Sequence, residues 1–541
     1  MTGADAVVSA LKKLCVEHVF GIVSIHNMPI FDAINRDGSI KIIDTRHEMG
    51  ATHAADGYAR ATGKIGVVIA STGPGTTNTI TGLYEASYAS SPVLLITGQA
   101  ETAFYGKHQG YVHEAENQLQ MLRTVTRRAE SPRFASQIEE FILQVASDMF
   151  SGRPQPGAVE IPIDLQYDNT QTGTHQFAPA SLNPPDSSLV TQAAELIGMH
   201  KKRIIIAGGG VTRGKASQAL IQFAEILNAP VFTTANGRGV IPEDHPLCIG
   251  NLYQSRRLHD DLKDCELSIA IGTRFQVGVN GSGANLKPPG KLLHLDIDPA
   301  SLNLTYAADL AIEGDARQLL EAILLQLNAE PGNDPFLQKI QQSAKGVKLG
   351  LRKRIGPDYE GIMESIRANL PRDGNIVRDS TVPAYNFANQ LLEIYEPGTF
   401  IGPNSGAIGP GLPLAIGMAI GTGKKTVVIH GDGGFMLHAT ELATAAQYSV
   451  PLVVCVFNDG GYGVLRGLQK RQFDGNMFEV DLGFVDFKMF AESMGVTGFN
   501  VQSLEEFKSA FAKAMDEDGP CLLNIDMREL EPMQGSILPE G

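Results

Sequence analysis

Two glycine-rich segments near the C-terminal end constrain the fold of this chain more than any other feature. The first, Gly431-Asp432-Gly433-Gly434, follows an apolar run, and the second, Asn458-Asp459-Gly460-Gly461, follows another. Short apolar, β-rich runs separated by a helix-like segment predict neighbouring parallel strands. Because the carboxyl ends of such strands meet at one edge of a sheet, Asp432 and Asp459 are expected side by side. Carboxylates suit Mg²⁺, and glycines leave backbone N–H groups free to approach a diphosphate.

Length, charge and cysteine usage define the broad class of protein. A chain of 541 residues exceeds one hydrophobic core and predicts about three domains. The net charge of −15 argues against nucleic-acid and anionic-membrane partners. Five scattered cysteines without a CxxC pair predict reduced thiols and a cytoplasmic location. Lys12 and Lys13 interrupt the first apolar segment, so no signal peptide is expected, and no run approaches the ~18 apolar residues of a membrane span.

Hydrophobic periodicity divides the chain into three α/β blocks. Short Val/Ile-rich strands alternate with amphipathic helices over residues 1–166, 189–327 and 361–541, and this alternation predicts three doubly wound parallel sheets. Tyr167 to Ser188 is rich in Pro, Asn, Ser and Thr and is interpreted as a linker. A polar helical connector is predicted around Gln338 to Arg354.

Several motifs occur beside the two glycine-rich segments. They are Asp44-Thr45-Arg46-His47-Glu48, Ala54-Ala55-Asp56-Gly57-Tyr58-Ala59-Arg60, Gly73-Pro74-Gly75-Thr76-Thr77-Asn78 and Ile241-Pro242-Glu243-Asp244-His245-Pro246. With them, nearly the whole chain resembles the thiamine-diphosphate (ThDP) dependent 2-oxo acid decarboxylases and carboligases. That family includes acetolactate synthases, pyruvate oxidases, benzoylformate decarboxylases and benzaldehyde lyases. The resemblance implies a pyrimidine-binding domain, a middle domain and a diphosphate-binding domain, in that order.

The resemblance assigns roles at the reactive end of the cofactor. Glu48 would hydrogen-bond to N1′ of the aminopyrimidine, favour the imino tautomer and so help remove the proton from thiazolium C2. Ile408 would be the bulky apolar residue that brings the two cofactor rings together, and Gly406 would offer its carbonyl to the 4′ amino group. A solvated glutamate in a helix first turn and a plain core isoleucine are the alternatives.

The resemblance also implies the contacts of the diphosphate end. Asp432, Asp459 and the Gly461 carbonyl would hold Mg²⁺. Many relatives carry Asn where this chain has Asp459, a change that adds negative charge beside the diphosphate. Ser380 and Thr381 are further candidates, although hydroxyls at a strand end often cap a helix instead. The complete set expected to bind the cofactor is Pro74, Asn78, Ser380, Thr381, Gly406, Ile408, Gly431, Asp432, Gly433, Gly434, Asp459, Gly461, Tyr462 and Gly463.

Two histidines are the candidates for contact with the substrate. His26 coincides with a histidine that benzaldehyde lyase-like members place over the thiazolium, where it could relay protons near neutral pH. A cap on the following helix is the alternative for His26. His113 stands where acetolactate synthases and oxidases usually carry glutamine.

Other positions depart from particular relatives. Anabolic acetolactate synthases use a tryptophan to select the second 2-oxo acid, whereas this chain has no tryptophan and carries Leu468 there. Flavin-binding relatives tend to carry acidic residues where this chain has Gln276-Val277-Gly278. Gly208-Gly209-Gly210 lacks the full dinucleotide-binding spacing. FAD is therefore left open but not predicted.

The combined expectation is a ThDP- and Mg²⁺-dependent enzyme that decarboxylates a 2-oxo acid, ligates the remaining acyl unit to a second carbonyl, or does both. The alternatives are a benzaldehyde-lyase-like 2-hydroxy ketone lyase or ligase, a flavin-coupled 2-oxo acid oxidase, and a catalytically silent regulatory subunit. In the family, Glu48 of one chain would meet the diphosphate domain of another. A homodimer is thus the smallest competent unit, and the resemblance favours a homotetramer.

Overall fold

Three parallel sheets organise the computed structural model, which describes residues 1–171, 173, 175–178, 183–276 and 286–534. Within these residues every named strand belongs to a six-stranded sheet, and every strand pair is parallel. Helices flank each sheet. The predicted α/β class with three doubly wound sheets is confirmed. The domain boundaries remain predictions.

The first sheet has the strand order β2-β1-β3-β4-β6-β5. Its central strands β3 and β4 are buried along their whole length, as expected for a parallel sheet covered on both faces. The strands are β1 (His18–Gly21), β2 (Lys41–Asp44), β3 (Gly66–Ala70), β4 (Val93–Gln99), β5 (Arg128–Glu130) and β6 (Gly157–Pro162). The helices are α1 (Gly3–Lys13), α2 (Met28–Asp37), α3 (Glu48–Thr62), α4 (Pro74–Ala89), α5 (Gln118–Val125), α6 (Ile138–Met149) and α7 (Ile163–Tyr167).

The second sheet has the order β12-β11-β10-β7-β8-β9. Its strands are β7 (Arg203–Ala207), β8 (Val231–Thr233), β9 (Cys248–Gly250), β10 (Leu267–Ile271), β11 (Lys291–Asp296) and β12 (Leu310–Glu313). Its helices are α8 (Ser187–Gly198), α9 (Gly209–Arg213), α10 (Ser217–Leu227), α11 (Arg256–Asp261) and α12 (Ala316–Gln326). Val277 and Gly278, which bear on the flavin question, lie outside the described residues, as do residues 172, 174 and 179–182 of the predicted linker.

A long helix, α13 (Asp334–Asn369), leads into the third sheet and is kinked at Gly356, where φ is +78°. The sheet has the order β14-β13-β15-β16-β18-β17. Its strands are β13 (Asn375–Arg378), β14 (Phe400–Ile401), β15 (Thr426–Gly431), β16 (Leu452–Asn458), β17 (Thr497–Val501) and β18 (Cys521–Asp526). The remaining helices are α14 (Gly411–Thr422), α15 (Asp432–Phe435), α16 (Glu441–Gln447), α17 (Gly463–Gln472), α18 (Phe487–Ser493) and α19 (Leu504–Asp516).

Helices α3 and α14 join the first block to the third at very close range. A Cβ added to Gly57 would lie 2.0 Å from the Leu414 carbonyl oxygen, and one added to Gly417 would lie 1.7 Å from that of Ala54. Glycine on each helix is therefore what allows the two backbones to touch. This contact places the N-terminus of α3, which begins with Glu48, against the third block.

None of the helices in the described part of the chain combines the length and apolar character needed to cross a membrane.

Candidate active site

Asp432 and Asp459 lie together at the carboxyl edge of the third sheet. Strands β15 and β16 pair with Gly431 opposite Phe457, so the residues that follow them emerge at the same edge. The two carboxyl groups are close enough to shift each other's pKa. Burial raises the pKa of Asp432 to about 6, and the charge of Asp459 adds to the increase. The buried carboxyl group of Asp432 and the partly buried one of Asp459 offer, side by side, the oxygen donors that a hard cation prefers.

Arg466 and Gly461 complete the surroundings of this carboxyl pair. Nη1 of Arg466 lies 2.9 Å from Oδ2 of Asp459. Burial raises the pKa of Asp459, and Arg466 opposes the increase. The Gly461 N–H opposes the rise in pKa at both carboxyl groups. Its carbonyl oxygen lies 3.3 Å from the position that a Cβ on Gly433 would take. Among the described residues no three His, Cys, Asp or Glu side chains could share a metal ion, so a third protein ligand there would have to be another kind of oxygen, such as a backbone carbonyl.

The glycines around the carboxyl pair pack so closely on their neighbours that no side chain would fit. A Cβ on Gly431 would lie 2.5 Å from Oγ1 of Thr381, and a Cβ on Gly433 would lie 2.7 Å from the Tyr462 ring. A Cβ on Gly463 would overlap the Asp459 carboxylate. These glycines, here called the glycine cradle, bring bare backbone close to the two carboxyl groups, and such backbone fits a diphosphate and its cation.

The loop between β14 and α14 carries Gly406 and Ile408 and is held by Asp379. The Asp379 carboxylate accepts the N–H groups of Gly409 and Gly411 at 3.0 and 2.7 Å. Oγ of Ser380 donates to the Ala407 carbonyl at 3.0 Å, so this hydroxyl binds the loop rather than capping a helix. Ile408 is 38% exposed, which excludes the plain core alternative. Asp379 was not among the predicted residues, although an aspartate directly after the buried strand β13 is a recognisable signal.

Glu48 begins helix α3 and is oriented by helix α4. Nδ2 of Asn78 donates to Oε2 of Glu48 at 2.9 Å. Pro74 is the first residue of α4. A Cβ on Gly75 would lie 3.3 Å from Oε1 of Glu48 and 2.8 Å from Cβ of Ser71, so glycine allows α4 to pack closely on both residues. The carboxylate therefore has one oxygen bonded to Asn78 and one to which the described residues donate no hydrogen bond.

A glutamate of the third block supports the turn that leads to Glu48. Oε1 of Glu441, on α16, accepts the N–H groups of Arg46 and His47 at 3.0 and 3.1 Å. Burial raises the pKa of Glu441. No local pattern in the sequence linked Glu441 to Glu48, because the partners are almost 400 residues apart.

His26 and His113 face each other across Ser71. Their rings are 5.2 Å apart, and Oγ of Ser71 lies 3.5 Å from Nδ1 of each. Nε2 of His26 is buried and has no partner in the structure. Burial, and then the charge of His113, lowers the pKa of His26. The helix-cap alternative is wrong for His26, because α2 is capped at Asn27. Ser71 was not predicted, and its place beside Gly75 connects this pair to Glu48.

The predicted residues thus form two groups. Glu48, Asn78, His26 and His113 gather in the first block, and the glycine cradle, the carboxyl pair and the loop of Gly406 and Ile408 gather in the third. Among the described residues no hydrogen bond or ion pair joins the side chains of Glu48, His26 or His113 to the carboxyl pair.

Comparison with known proteins covers all three blocks. Residues 1–121 match the family profile of the thiamine pyrophosphate enzyme N-terminal TPP binding domain. Residues 190–323 match the central domain of the same family, and residues 383–525 match its C-terminal TPP binding domain.

Full-length similarity extends to individual proteins. The chain is 31% identical to a probable acetolactate synthase large subunit of Methanococcus aeolicus, over 100% of this chain and 94% of that protein. It is 32% identical to the acetolactate synthase isozyme 2 large subunit of Escherichia coli, over 100% and 98%. It is also 30% identical to a probable 2-ketoarginine decarboxylase of Pseudomonas aeruginosa, over 97% and 94%.

Proposed function

Since this chain belongs to the thiamine pyrophosphate enzyme family, we propose that it decarboxylates a 2-oxo acid and delivers the remaining acyl unit to a proton or to a second carbonyl compound. The products are an aldehyde or a 2-hydroxy ketone. The observation that carries the proposal is Glu48, fixed by Asn78 at the start of α3 beside the His26–Ser71–His113 cluster. ThDP, when bound, supplies the electron sink that decarboxylation requires.

Mg²⁺ is proposed to accompany the diphosphate. Asp432, Asp459 and the Gly461 carbonyl would hold the ion, and the closeness of the buried Asp432 carboxyl group to the partly buried one of Asp459 supports this set. Arg466 already offsets the charge of Asp459, so it would compete with the cation for that carboxylate. Gly431, Gly433 and Gly463 keep side chains away from the backbone beside Thr381, Tyr462 and Asp459, and this supports the diphosphate site. Ser380 and Gly434 are further proposed members of this end of the site.

Glu48 and the loop of Gly406 and Ile408 are proposed to act on the reactive end of the cofactor. A carboxylate with one oxygen fixed by Asn78 can hold a proton at a ring nitrogen through the other oxygen. The exposed side chain of Ile408 is free to support a bound ligand. Pro74 starts helix α4, which carries Asn78, and is a further proposed member of this end of the site.

His26 and His113 are proposed to move protons on the substrate side. Burial, and then the charge of His113, lowers the pKa of His26 and so favours the neutral ring at pH 7. Among the described residues no hydrogen bond is found for its buried Nε2. A neutral imidazole with a free nitrogen can take a proton from an alcohol or give one back through Ser71. His26, together with Leu468 in place of the selecting tryptophan, favours a second candidate, the reversible cleavage of a 2-hydroxy ketone as in benzaldehyde lyases.

A homodimer is proposed as the smallest active unit, and a homotetramer as the full assembly. The two groups of site residues lie in different blocks, and no hydrogen bond or ion pair within the described chain joins Glu48 to the carboxyl pair. Large apolar side chains are exposed beside both groups, and burying them in a subunit contact would remove this surface from water. They are Val23, Ile25, Val112, Ile408, Met436, Leu437 and Leu465.

A cytoplasmic location is proposed because all five cysteines are free thiols.

The proposal is tested by CO₂ release from a panel of 2-oxo acids, with and without an aldehyde acceptor, for the wild type and Glu48→Gln. We expect the variant to lose turnover, because its amide cannot serve as the proton-holding carboxylate. Glu505→Gln is the matched control, because Glu505 also lies in a helix first turn, far from the site, and it should leave turnover unchanged. Undiminished turnover in Glu48→Gln would refute the proposed mechanism. A panel of 2-hydroxy ketones, with aldehyde release as the readout, tests the second candidate.

A further inference from the structure

Besides Asn78, helix α4 carries a second polar side chain, Glu85, which contacts the loop between β14 and α14 in the third block. Glu85, which is fully buried, accepts the N–H groups of Asn404 and Ser405 at 2.6 and 2.9 Å, one on each carboxylate oxygen. Its Oε2 also accepts the Ser405 hydroxyl at 2.6 Å. Gly406 comes next in the chain, so Glu85 fixes the backbone immediately before it.

Buried charges support this contact. Nη1 of Arg60, on α3, lies 3.7 Å from Glu85 and 3.6 Å from Asp56. Nη2 of the same arginine donates to the Gly402 carbonyl at 2.9 Å. The first block thus hydrogen-bonds to the loop at residues 402, 404 and 405. The buried counterion of Glu85 is Arg60.

The loop needs anchors because its own structure does not fix it. Gly406 and Gly409 both have positive φ, +83° and +102°, and Ile408 is 38% exposed and so is not held by a core. Asp379 binds the loop after Ile408, at Gly409 and Gly411, and Glu85 binds it before Gly406. Residues 406–408 therefore lie between two carboxylate anchors, and the Ser380 hydroxyl bonds to the Ala407 carbonyl between them.

We propose that Glu85 is a positioning residue that sets Gly406 and Ile408 against the cofactor. The inference rests on the proposed function, because it concerns the same ThDP site. Asn78 and Glu85 are seven residues apart and lie on one face of α4, about two turns from each other. One helix therefore orients Glu48, through Asn78, and the loop of the same chain, through Glu85, so it contributes to both sites of the proposed homodimer.

Glu85→Gln tests the proposal because it keeps the size of the side chain and replaces one of the two oxygens that accept the loop N–H groups. The amide keeps one carbonyl oxygen, and its NH₂ group would face a backbone N–H of the loop, donor against donor. The loop should then shift. A misplacement of about 1 Å in a site that depends on ring proximity lowers rates by up to about 100-fold.

The readout is hydrogen–deuterium exchange at C2 of ThDP bound with Mg²⁺ to the full-length protein, followed by NMR after acid quench. No substrate is needed, so the result is independent of the 2-oxo acid panel. We expect Glu85→Gln to slow exchange by about 10- to 100-fold. Glu243→Gln is the matched control, because Glu243 is also a buried glutamate that binds an arginine and a backbone N–H, at Arg238 and Ile394. It should leave the exchange rate unchanged even where it lowers the melting temperature.

The outcomes separate positioning from a loss of stability. Exchange at the wild-type rate in a folded Glu85→Gln variant overturns the proposal, and so does equal slowing in Glu243→Gln. If Glu85→Gln does not fold, Glu85→Asp decides, because it keeps the charge and both acceptor oxygens but is one methylene shorter. Slowed exchange in Glu85→Asp supports the proposal, and an unchanged rate overturns it. Loss of CO₂ release with normal exchange in the wild type would instead count against the proposed function.

Discussion

At the scale of the residue, the contact between Asp432 and Asp459 determines how the diphosphate end responds to pH. Burial and the charge of Asp459 together raise the pKa of Asp432 to about 6. Because a metal ion binds the deprotonated carboxyl, loading with Mg²⁺ and ThDP should weaken as the pH falls below about 6. In Asp459→Asn the neighbouring charge is gone, so the pKa of Asp432 falls and the loss of binding starts at a lower pH. Titration of Mg²⁺–ThDP binding at several pH values from 5 to 7.5 measures the shift.

Asp526→Asn is the control for that titration. Asp526 follows the same edge of the sheet, opposite Asn458, but it pairs with Arg528. Its variant should keep the pH dependence of the wild type. Identical pH profiles for the wild type and Asp459→Asn would show that the two carboxyl groups do not influence each other.

The sequence predicted those residues whose partners lie close to a motif, and it missed those whose partners are distant. Asp432 and Asp459 each end a recognisable apolar run, so parallel pairing was enough to bring them together. Glu85 and Ser405 are 320 residues apart, and neither belongs to a local pattern. Ser71 was hidden in the same way, because only folding places it between two histidines.

At the scale of the element, the packing of α3 on α14 fixes the start of α3 and hence Glu48. Gly417→Ala would place a Cβ 1.7 Å from the Ala54 carbonyl oxygen. The helices must separate, which should cost roughly 1–3 kcal/mol of unfolding free energy and lower turnover by moving Glu48. Urea unfolding and CO₂ release measure the two effects.

Gly350→Ala provides the comparison for that variant. Gly350 lies inside α13, and a Cβ there meets nothing within 4 Å. Alanine should stabilise that helix by up to about 1 kcal/mol and leave turnover unchanged. Equal stability of Gly417→Ala and the wild type would mean that the two helices adjust without cost.

Element types followed from periodicity, whereas the boundary between the second and third blocks remains a prediction. Its predicted position, Gly361, lies within α13 shortly after the kink at Gly356. One hydrophobic cluster joins Ile204 and Phe232 of the second sheet, Ile340 of α13, and Val427 and Ile429 of the third sheet. A helix that packs against two sheets shows no change in composition at a boundary, so the sequence offered no signal there.

At the scale of the whole molecule, two buried histidines link the first and third blocks. The rings of His53, on α3, and His438, after α15, are 5.4 Å apart. Nδ1 of His438 donates to the Gly409 carbonyl, which connects the pair to the cofactor loop. Burial lowers the pKa of His438 to about 4, and burial with the charges of His438 and Arg60 lowers that of His53 well below its usual value. Both rings are therefore neutral in the folded protein at pH 7.

A histidine whose pKa is lower in the folded state contributes stability above its unfolded pKa of about 6.5 and loses it as the pH falls toward the folded value. For His438 the loss amounts to about 3 kcal/mol between pH 6.5 and pH 4. We expect His438→Gln to flatten the fall in unfolding free energy over this range, because glutamine can keep the N–H bond to Gly409 without titrating. Urea unfolding at several pH values measures the slope of unfolding free energy against pH.

His108→Gln is the control. Its slope should stay as steep as in the wild type or become steeper, because Glu116 raises the pKa of the exposed His108. An unchanged slope in His438→Gln would show that acid destabilises the molecule elsewhere.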